Sequence, residues 1–321
     1  MTEPLLQIQG LSRSFHVGGF RSRGVLHAVD EVNFDVNAGE IVALVGESGS
    51  GKSTIARVLA GIYRPSNGSI IFEGRPLTNR SNRSARGQMP MVFQDPFGSF
   101  NPVLRAAHGL LRSLALHCPE LNAAQRKNEA VRLLEKVGLS PGADVLTRYP
   151  HELSGGQRQR LGFAQALSSH PSLIVADEPV SMLDVSIRIG LLNVMKELRD
   201  DEGVSMLYIT HDLASARYVA DRMVVLYAGM IVEEGRIDEV IRSPQHPYTR
   251  LLMATAPDPR LAPSDLGSDD LGEPPKVINP GPGCRFAPRC PLVSERCLVA
   301  TPAMVQITPT QRAACIEAKA E

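Results

Sequence analysis

The sequence predicts an α/β fold, and three observations support this prediction. Residues 41–45 and 173–176 are short, uninterrupted apolar runs, which are typical of buried strands in a parallel sheet. The first run leads through a glycine-rich loop into a helix-forming stretch at residues 55–59. Between about residues 170 and 235, strand-like and helix-like segments alternate again, which is the pattern of an α/β protein.

The loop after the first strand has the composition of a phosphate-binding turn. Its three glycines let successive backbone N–H groups point at an anion, and the helix that follows begins with its positive end toward that anion. We expect Lys52 to reach the β- and γ-phosphates of a nucleotide, and the Ser53 hydroxyl to bind Mg²⁺. The predicted nucleotide-binding residues are Gly46, Glu47, Ser48, Gly49, Ser50, Gly51, Lys52, Ser53 and Thr54.

Two carboxylates, Asp177 and Glu178, follow the second apolar run directly. Open parallel sheets bind their ligands at the carboxyl ends of their strands. We expect Asp177 to take part in the Mg²⁺ site and Glu178 to orient and polarise the attacking water as a general base. The alternative is that the two side chains only cap the segment that begins at Pro179.

The order of these motifs resembles that of the ATP-binding cassette (ABC) ATPases, and the resemblance covers nearly the whole chain. The pair Gly155-Gly156 precedes a helix-forming stretch, so it forms another helix N-terminus that can bind an anion. The pair lies in the segment that resembles the family signature, Leu153, Ser154, Gly155, Gly156 and Gln157. In that family the signature meets the γ-phosphate bound by the opposite subunit, so the resemblance implies that ATP lies between two chains.

The resemblance also implies a domain organisation. Residues 1–250 are expected to form a P-loop, RecA-like ABC nucleotide-binding domain with a helical subdomain at about 98–168. Residues 251–321 are expected to form a short C-terminal extension that contains cysteines.

The same resemblance implies roles for four further residues. Gln94 is expected to contact Mg²⁺ and to couple to the membrane partner, and His211 to hydrogen-bond the γ-phosphate and to link Glu178 to the opposite subunit. Asp184 lies where the family has its inter-subunit loop. Phe15 is expected to stack on adenine, although Phe20 is close by and either ring could serve only in packing.

Composition limits the classes of function. The chain of 321 residues has 34 Lys and Arg and 34 Asp and Glu, which argues against a nucleic-acid-binding protein with a strong basic field. No apolar run approaches the roughly 20 residues of a membrane-spanning helix, and the first residues lack the pattern of a secretory signal. With the family resemblance, this implies a peripheral subunit on the cytoplasmic face of the inner membrane, with the channel supplied by other chains.

The C-terminal residues from Pro244 onward, called the tail below, indicate which subfamily to expect. Of the 24 prolines, 13 lie between Pro244 and Pro309, which disfavours long helices and central strands there. The segment around His246-Pro247-Tyr248 resembles the end of oligopeptide, dipeptide and nickel importer ATPases, and residues 257–283 have the composition of a linker. Peptides are the expected solutes, with nickel chelates and oligosaccharides as alternatives.

Four of the five cysteines also lie in the tail, whereas Cys118 is expected to be a lone thiol. Some members of the subfamily show a similar pattern and bear a [4Fe–4S] cluster, for which four thiolates form a full ligand set. The alternatives are a zinc ion and reduced thiols without metal. The spacing of the cysteines is wider than that of a zinc finger. The expected ligands of the cluster are Cys284, Cys290, Cys297 and Cys315.

The resemblance implies a set of partners. They are a second, non-identical ABC ATPase subunit, two transmembrane permease subunits and an extracytoplasmic solute-binding protein. The alternatives are an ABC ATPase without a transport task, an iron–sulfur regulatory module and an exporter subunit. Long coiled-coil insertions or fused membrane helices, which are common in the first and the last of these, are not visible in the sequence.

Overall fold

The structure is a computed structural model, and it describes residues 3–18, 24–77, 83–95, 98, 100–254 and 277–318. The strands are β1 (Leu6–Val17), β2 (Gly24–Val36), β3 (Ile41–Val45), β4 (Asn67–Phe72), β5 (Arg75–Pro76), β6 (Met91–Val92), β7 (Leu173–Asp177), β8 (Ser205–Thr210), β9 (Arg222–Tyr227), β10 (Met230–Arg236), β11 (Val305–Gln306) and β12 (Arg312–Ala313). The α-helices are α1 (Lys52–Leu59), α2 (Arg83–Gly87), α3 (Ala107–His117), α4 (Ala123–Lys136), α5 (Gly142–Val145), α6 (Gly155–Leu167), α7 (Val185–Glu202), α8 (Leu213–Val219), α9 (Ile237–Arg242), α10 (Pro247–Ala254) and α11 (Glu295–Val299). Short 3₁₀ helices span Pro150–Glu152 and Ala287–Arg289.

The chain divides into two compact units. The first comprises residues 1–79 and 208–321, and the second comprises residues 80–207. The division falls within strand β8. The predicted α/β fold is confirmed, because β3 pairs in parallel with β9 and β6 pairs in parallel with β7.

The first unit contains two groups of paired strands. Strands β2, β1, β4 and β5 form an antiparallel sheet in that order. In the other group, β9 pairs with β10, β10 with β12, and β12 with β11, all antiparallel. Every residue of β3 is buried, which explains why this strand is apolar throughout instead of alternating with polar residues.

The second unit contains the helices α2 to α7 together with β6 and β7. Helix α4 begins with a capping box between Asn122 and Gln125, which satisfies backbone N–H groups at its start. It ends before Gly138, whose φ of 76° is the left-handed conformation that often follows a helix. Both ends of α4 are therefore explained by local sequence. Among the described helices of the whole chain, none combines the length and the apolar character that a membrane crossing requires.

The described part of the C-terminal extension, residues 277–318, packs within the first unit. Strand β12 adds to β10, and Arg312 forms an ion pair with the nearly buried Glu234 of β10. At the other end of this segment, the backbone N–H of His27 donates to the carbonyl of Val277 at 2.9 Å. Residues 257–276 of the predicted linker lie outside the described residues.

Candidate nucleotide site

The phosphate loop connects β3 to α1 in the first unit, and two of its glycines allow its path. Gly46 has a φ of 153°, and a Cβ there would lie 2.1 Å from the carbonyl oxygen of Leu226. Gly51 has a φ of 110°, and a Cβ there would lie 2.2 Å from the carbonyl oxygen of Ala28. A side chain at either position would collide with backbone, so the loop can follow this path only with glycine.

The Lys52 ammonium binds backbone carbonyls of the phosphate loop. Lys52 is the first residue of α1 and is only 5 % exposed. Its Nζ donates to the carbonyl oxygens of Gly46 and Glu47 at 2.7 and 2.8 Å. The helix begins at Lys52, three residues earlier than its apolar periodicity indicates, because Gly51 with its positive φ forms the N-cap position.

The remaining loop residues provide hydroxyl groups and an acidic side chain. Ser50 is buried, and its Oγ has no hydrogen-bond partner among the described residues. The backbone N–H of Ser50 donates to the Glu47 carbonyl at 3.2 Å. Ser53 and Thr54 are half-buried in the first turn of α1, whereas Ser48 and Gly49 are exposed. A glycine-built turn with a buried, unpaired hydroxyl at a helix N-terminus fits an anionic phosphate.

In the second unit, the structure brings together two predicted site residues that are 84 positions apart. The Gln94 side chain follows β6, and its Nε2 donates to the Glu178 carboxylate at 2.8 Å. Glu178 follows β7 and has a φ of 47°, an uncommon conformation for a residue other than glycine. Asp177, the last residue of β7, is 5 % exposed. Strain of this kind often occurs at functional sites, so a fixed Glu178 carboxylate is consistent with a role in chemistry.

The signature segment forms the start of helix α6. The Ser154 Oγ accepts from the backbone N–H of Gln157 at 3.2 Å, and the Gln157 side-chain oxygen accepts from the N–H of Ser154 at 3.0 Å. This reciprocal capping box fixes the N-terminus of a 13-residue helix, where the helix dipole favours negative charge. Gly155 is half-buried. A Cβ at Gly156 would lie 2.4 Å from the side chain of Ile187, so glycine there permits the close approach of α7.

The other predicted site residues lie at the ends of elements or on β1. Asp184 is exposed and precedes α7 as its N-cap residue. His211 is exposed between β8 and α8. Phe15 is half-buried on β1, packs edge-on against Tyr63 at 5.4 Å between ring centroids, and is covered by the Arg13 guanidinium at 4.4 Å. Phe20 lies outside the described residues, so a choice between the two rings remains a sequence expectation.

The four tail cysteines influence each other electrostatically without forming a ligand set. Burial raises the pKa of the Cys284 thiol, and the neighbouring Cys297 and Cys315 raise it further. The pKa of Cys290 is raised in the same way, mainly by burial and then by its three cysteine neighbours. Within the described ranges, however, no group of three or more His, Cys, Asp or Glu side chains is arranged to hold a metal ion. The described residues therefore give no support to the [4Fe–4S] cluster expected from the sequence, nor to the zinc alternative.

Cys118 belongs to the second unit, whereas the four tail cysteines belong to the first. It follows α3, is 3 % exposed, and its Sγ lies 3.5 Å from the Nε2 of His170.

Two arginines between the cysteines form ion pairs that the sequence did not predict. Arg289 forms an ion pair with Glu47 of the phosphate loop, and Arg285 forms one with Asp30. Their side chains are 11 % and 12 % exposed, so they are not solvated surface groups. The His-Pro-Tyr motif was recognisable in the sequence, but the contact of its tyrosine, Tyr248, with the same loop was not.

A phosphate-binding loop between a buried strand and a helix, in a sheet with parallel pairs, defines a nucleoside-triphosphate-binding protein. Residues 29–181 match the family model described as "ABC transporter", and residues 232–297 match "Oligopeptide/dipeptide transporter, C-terminal region". The chain therefore belongs to the ABC transporter family, and it is an ABC-type ATPase.

Two similar proteins agree with this assignment. The chain is 42 % identical over 98 % of its length to the "Probable peptide ABC transporter ATP-binding protein y4tS" of Sinorhizobium fredii, and the match covers 90 % of that protein. It is 40 % identical over 97 % of its length to the "Dipeptide transport ATP-binding protein DppF" of Haemophilus influenzae, and the match covers 96 % of that protein.

A solved structure of the same kind is also similar. It is the dimeric, post-hydrolysis state of the ATP-binding cassette MJ0796 bound to ADP and Pi. It matches with a TM-score of 0.64 and 26 % identity, over 72 % of this chain and 98 % of that one. The resemblance to ABC ATPases noted in the sequence is thus confirmed.

Proposed function

We propose that this chain is the ATP-hydrolysing subunit of an importer for dipeptides or oligopeptides. The observation that carries the proposal is the coexistence in one chain of the glycine-built phosphate loop and a C-terminal region of the oligopeptide/dipeptide transporter type. The names of the relatives, which are peptide and dipeptide ATP-binding proteins, support the same solute class.

In this proposal the phosphate loop binds the triphosphate. The amide-lined turn around Gly49 holds the phosphates, and the Lys52 ammonium exchanges its two loop carbonyls for the β- and γ-phosphate oxygens. The Ser53 hydroxyl and the Gln94 side chain would bind Mg²⁺, and Asp177 would act on the ion through a water molecule. The ion would neutralise charge that develops on the phosphates. Phe15 contacts the adenine ring.

Glu178 is the proposed general base. Glu178 orients the attacking water and accepts its proton, and the hydrogen bond from Gln94 positions the carboxylate for this step. His211 hydrogen-bonds the γ-phosphate. A positioned general base contributes about 10²- to 10⁴-fold in rate, so the Glu178→Gln variant should bind ATP and hydrolyse it slowly.

The proposed assembly contains two ATPase subunits. The helix start at Ser154, Gly155, Gly156 and Gln157 of one subunit faces the γ-phosphate held by the other, and Asp184 lies in the loop between subunits. The partner ATPase is a related chain, and the pair acts with two permease subunits and an extracytoplasmic solute-binding protein on the cytoplasmic face of the membrane.

The [4Fe–4S] cluster expected from the sequence has no role in this proposal, because the thiols as they lie here do not form a ligand set. Iron and acid-labile sulfide analysis of anaerobically purified protein tests the expectation directly. Four irons per chain, lost in a Cys290→Ser variant, would show that the tail rearranges around a cluster.

A turnover assay tests the proposed function. ATP turnover is measured for the full chain with its partner ATPase and the permeases in proteoliposomes, with and without the binding protein loaded with peptide. We expect turnover that depends on peptide and falls at least 100-fold in Glu178→Gln, with ATP binding retained. Turnover that is unchanged in this variant would remove the assigned role of Glu178, and stimulation by nickel chelates instead of peptides would contradict the assigned solute.

A further inference from the structure

Two residues of the C-terminal part of the chain, Tyr248 and Arg289, contact the phosphate loop. Glu47, the second residue of the loop, is the contact point for both. The backbone N–H of Glu47 donates to the Tyr248 hydroxyl at 2.8 Å. The two carboxylate oxygens of Glu47 accept from the two terminal nitrogens of Arg289 at 2.9 and 3.0 Å.

The Arg289 contact is a two-point ion pair with little access to water. The side chains of Arg289 and Glu47 are 11 % and 23 % exposed. The hydrogen bonds to Glu47 raise the pKa of Arg289 above its ordinary value, so the guanidinium is charged at every relevant pH. A paired arrangement of this kind is stronger and more directional than a single contact.

Tyr248 is positioned by a buried network. It is fully buried, and burial raises the pKa of its hydroxyl, which keeps the phenol neutral. Its ring packs against Tyr227 and Phe286 with centroid distances of 4.5 and 5.6 Å. The motif ahead of it is anchored by Glu233, whose carboxylate accepts from the backbone N–H of His246 at 2.9 Å.

The same aromatic cluster positions Arg289. Phe286, at 1 % exposure, packs edge-on against Tyr227 at 5.2 Å. The backbone N–H of Arg289 donates to the Phe286 carbonyl at 2.9 Å, and the guanidinium lies 5.7 Å from the centre of the Tyr227 ring. The C-terminal segment around Phe286 therefore connects to the loop through packed aromatic rings and the Arg289 ion pair.

We infer that Arg289 of the C-terminal extension and Tyr248, which lies just before the extension, are positioning residues for ATP binding that complete the phosphate loop. A carboxylate in a loop that binds a triphosphate opposes the ligand, because like charges repel. Arg289 neutralises the Glu47 carboxylate and holds it on the side of the aromatic cluster, while Tyr248 fixes the backbone at the same residue. This inference rests on the proposed role of the loop as the ATP site.

The test measures the Kd of the fluorescent analogue mant-ATP with Mg²⁺ on the full-length chain. Arg289→Ala leaves the Glu47 charge unpaired, and we expect an about tenfold higher Kd, equivalent to about 1.4 kcal/mol. In the double variant Glu47→Gln/Arg289→Ala the opposing charge is removed, and the Kd should return to within about threefold of wild type. Tyr248→Phe, which deletes one neutral hydrogen bond, should raise the Kd roughly fivefold.

A matched control is available in the same extension. Arg296 precedes Cys297 as Arg289 precedes Cys290, but it is exposed. Arg296→Ala should leave the Kd unchanged. A merely structural role of Arg289 would not produce the recovery in the double variant, because that variant also lacks the arginine.

Three outcomes distinguish this inference from the proposed site. Loss of binding in Lys52→Ala with an unchanged Kd in Arg289→Ala would overturn only the inference. Unchanged binding in Lys52→Ala would contradict the proposed site itself. If Arg289→Ala does not fold, the double variant takes its place in the test. Folding and wild-type-like binding of the double variant would support the inference. Binding at least tenfold weaker in both the double variant and Arg289→Lys would overturn it.

Discussion

Acidification should destabilise this protein through one buried histidine. His246 is 1 % exposed, and burial lowers its pKa to about 3, with a smaller contribution from the nearby Arg250. The Nδ1 of the neutral ring accepts from the backbone N–H of Tyr248 at 3.0 Å. In the unfolded chain a histidine titrates near pH 6.5.

The sign and size of the effect follow from these two values. The pKa is depressed in the folded state, so the stability that His246 contributes is complete above about pH 6.5 and is lost as the pH falls toward 3. Each pH unit in this window changes the free energy of unfolding by about 1.4 kcal/mol. Between pH 7 and pH 5 the protein should therefore lose about 2 kcal/mol through His246 alone.

A neutral replacement isolates this contribution. Asparagine does not titrate, and its side-chain oxygen can accept from the backbone N–H two residues on, as His246 does. Urea denaturation of the full chain, followed by circular dichroism, is compared at pH 7 and pH 5 for wild type and His246→Asn. Burial raises the pKa of Glu233, which acts in the opposite direction, but Glu233 is present in both proteins and its effect cancels.

The expected result is a pH-dependent loss that is about 2 kcal/mol smaller in His246→Asn than in wild type. The variant should be less stable at pH 7, because the imidazole packing against Phe286 is lost. Equal losses in both proteins between pH 7 and pH 5 would refute the reasoning, since they would mean that His246 titrates in the folded state as it does in the unfolded chain.

Three further predictions concern local structure. Gly51→Ala should abolish Mg·ATP binding in equilibrium dialysis, because its Cβ would lie 2.2 Å from the Ala28 carbonyl oxygen, whereas Gly281→Ala, with no atom within 4 Å, should bind normally. Ser154→Ala should lower the free energy of unfolding in urea by about 1 kcal/mol through loss of the cap, and Ser154→Asp should not; equal effects would argue against capping. Phe286→Ala should lower it by about 3–5 kcal/mol, and a loss below about 1 kcal/mol would show that the aromatic cluster is loosely packed.

Local patterns in the sequence predict the elements that carry the phosphate loop and the carboxylates. The apolar runs of β3 and β7 and the glycines between β3 and α1 are consecutive in the chain, and their physical requirements can be read without tertiary information. The start of α1 at Lys52 was less predictable, because the first turn of this helix has no apolar periodicity.

Contacts between distant segments were not predictable. Glu47 is 201 positions from Tyr248 and 242 from Arg289, and no periodicity links such residues. Arg289 and Arg296 have the same local context, each directly before a cysteine, yet one is buried against Glu47 and the other is exposed. Arg289 also follows Phe286, whose ring packs against the tyrosines Tyr227 and Tyr248. The cysteine spacing indicated a shared ligand, whereas the folded positions of the thiols do not form a ligand set.

The central claim is that the loop between β3 and α1 binds ATP through Lys52. Equilibrium dialysis of Mg·ATP against the full chain tests this most directly, with Lys127→Ala, an exposed lysine of α4, as the control. The account predicts one ATP bound per chain in wild type and in Lys127→Ala, and binding at least about tenfold weaker in Lys52→Ala, since a charge-assisted contact to phosphate is lost. Equal binding by all three proteins would contradict it.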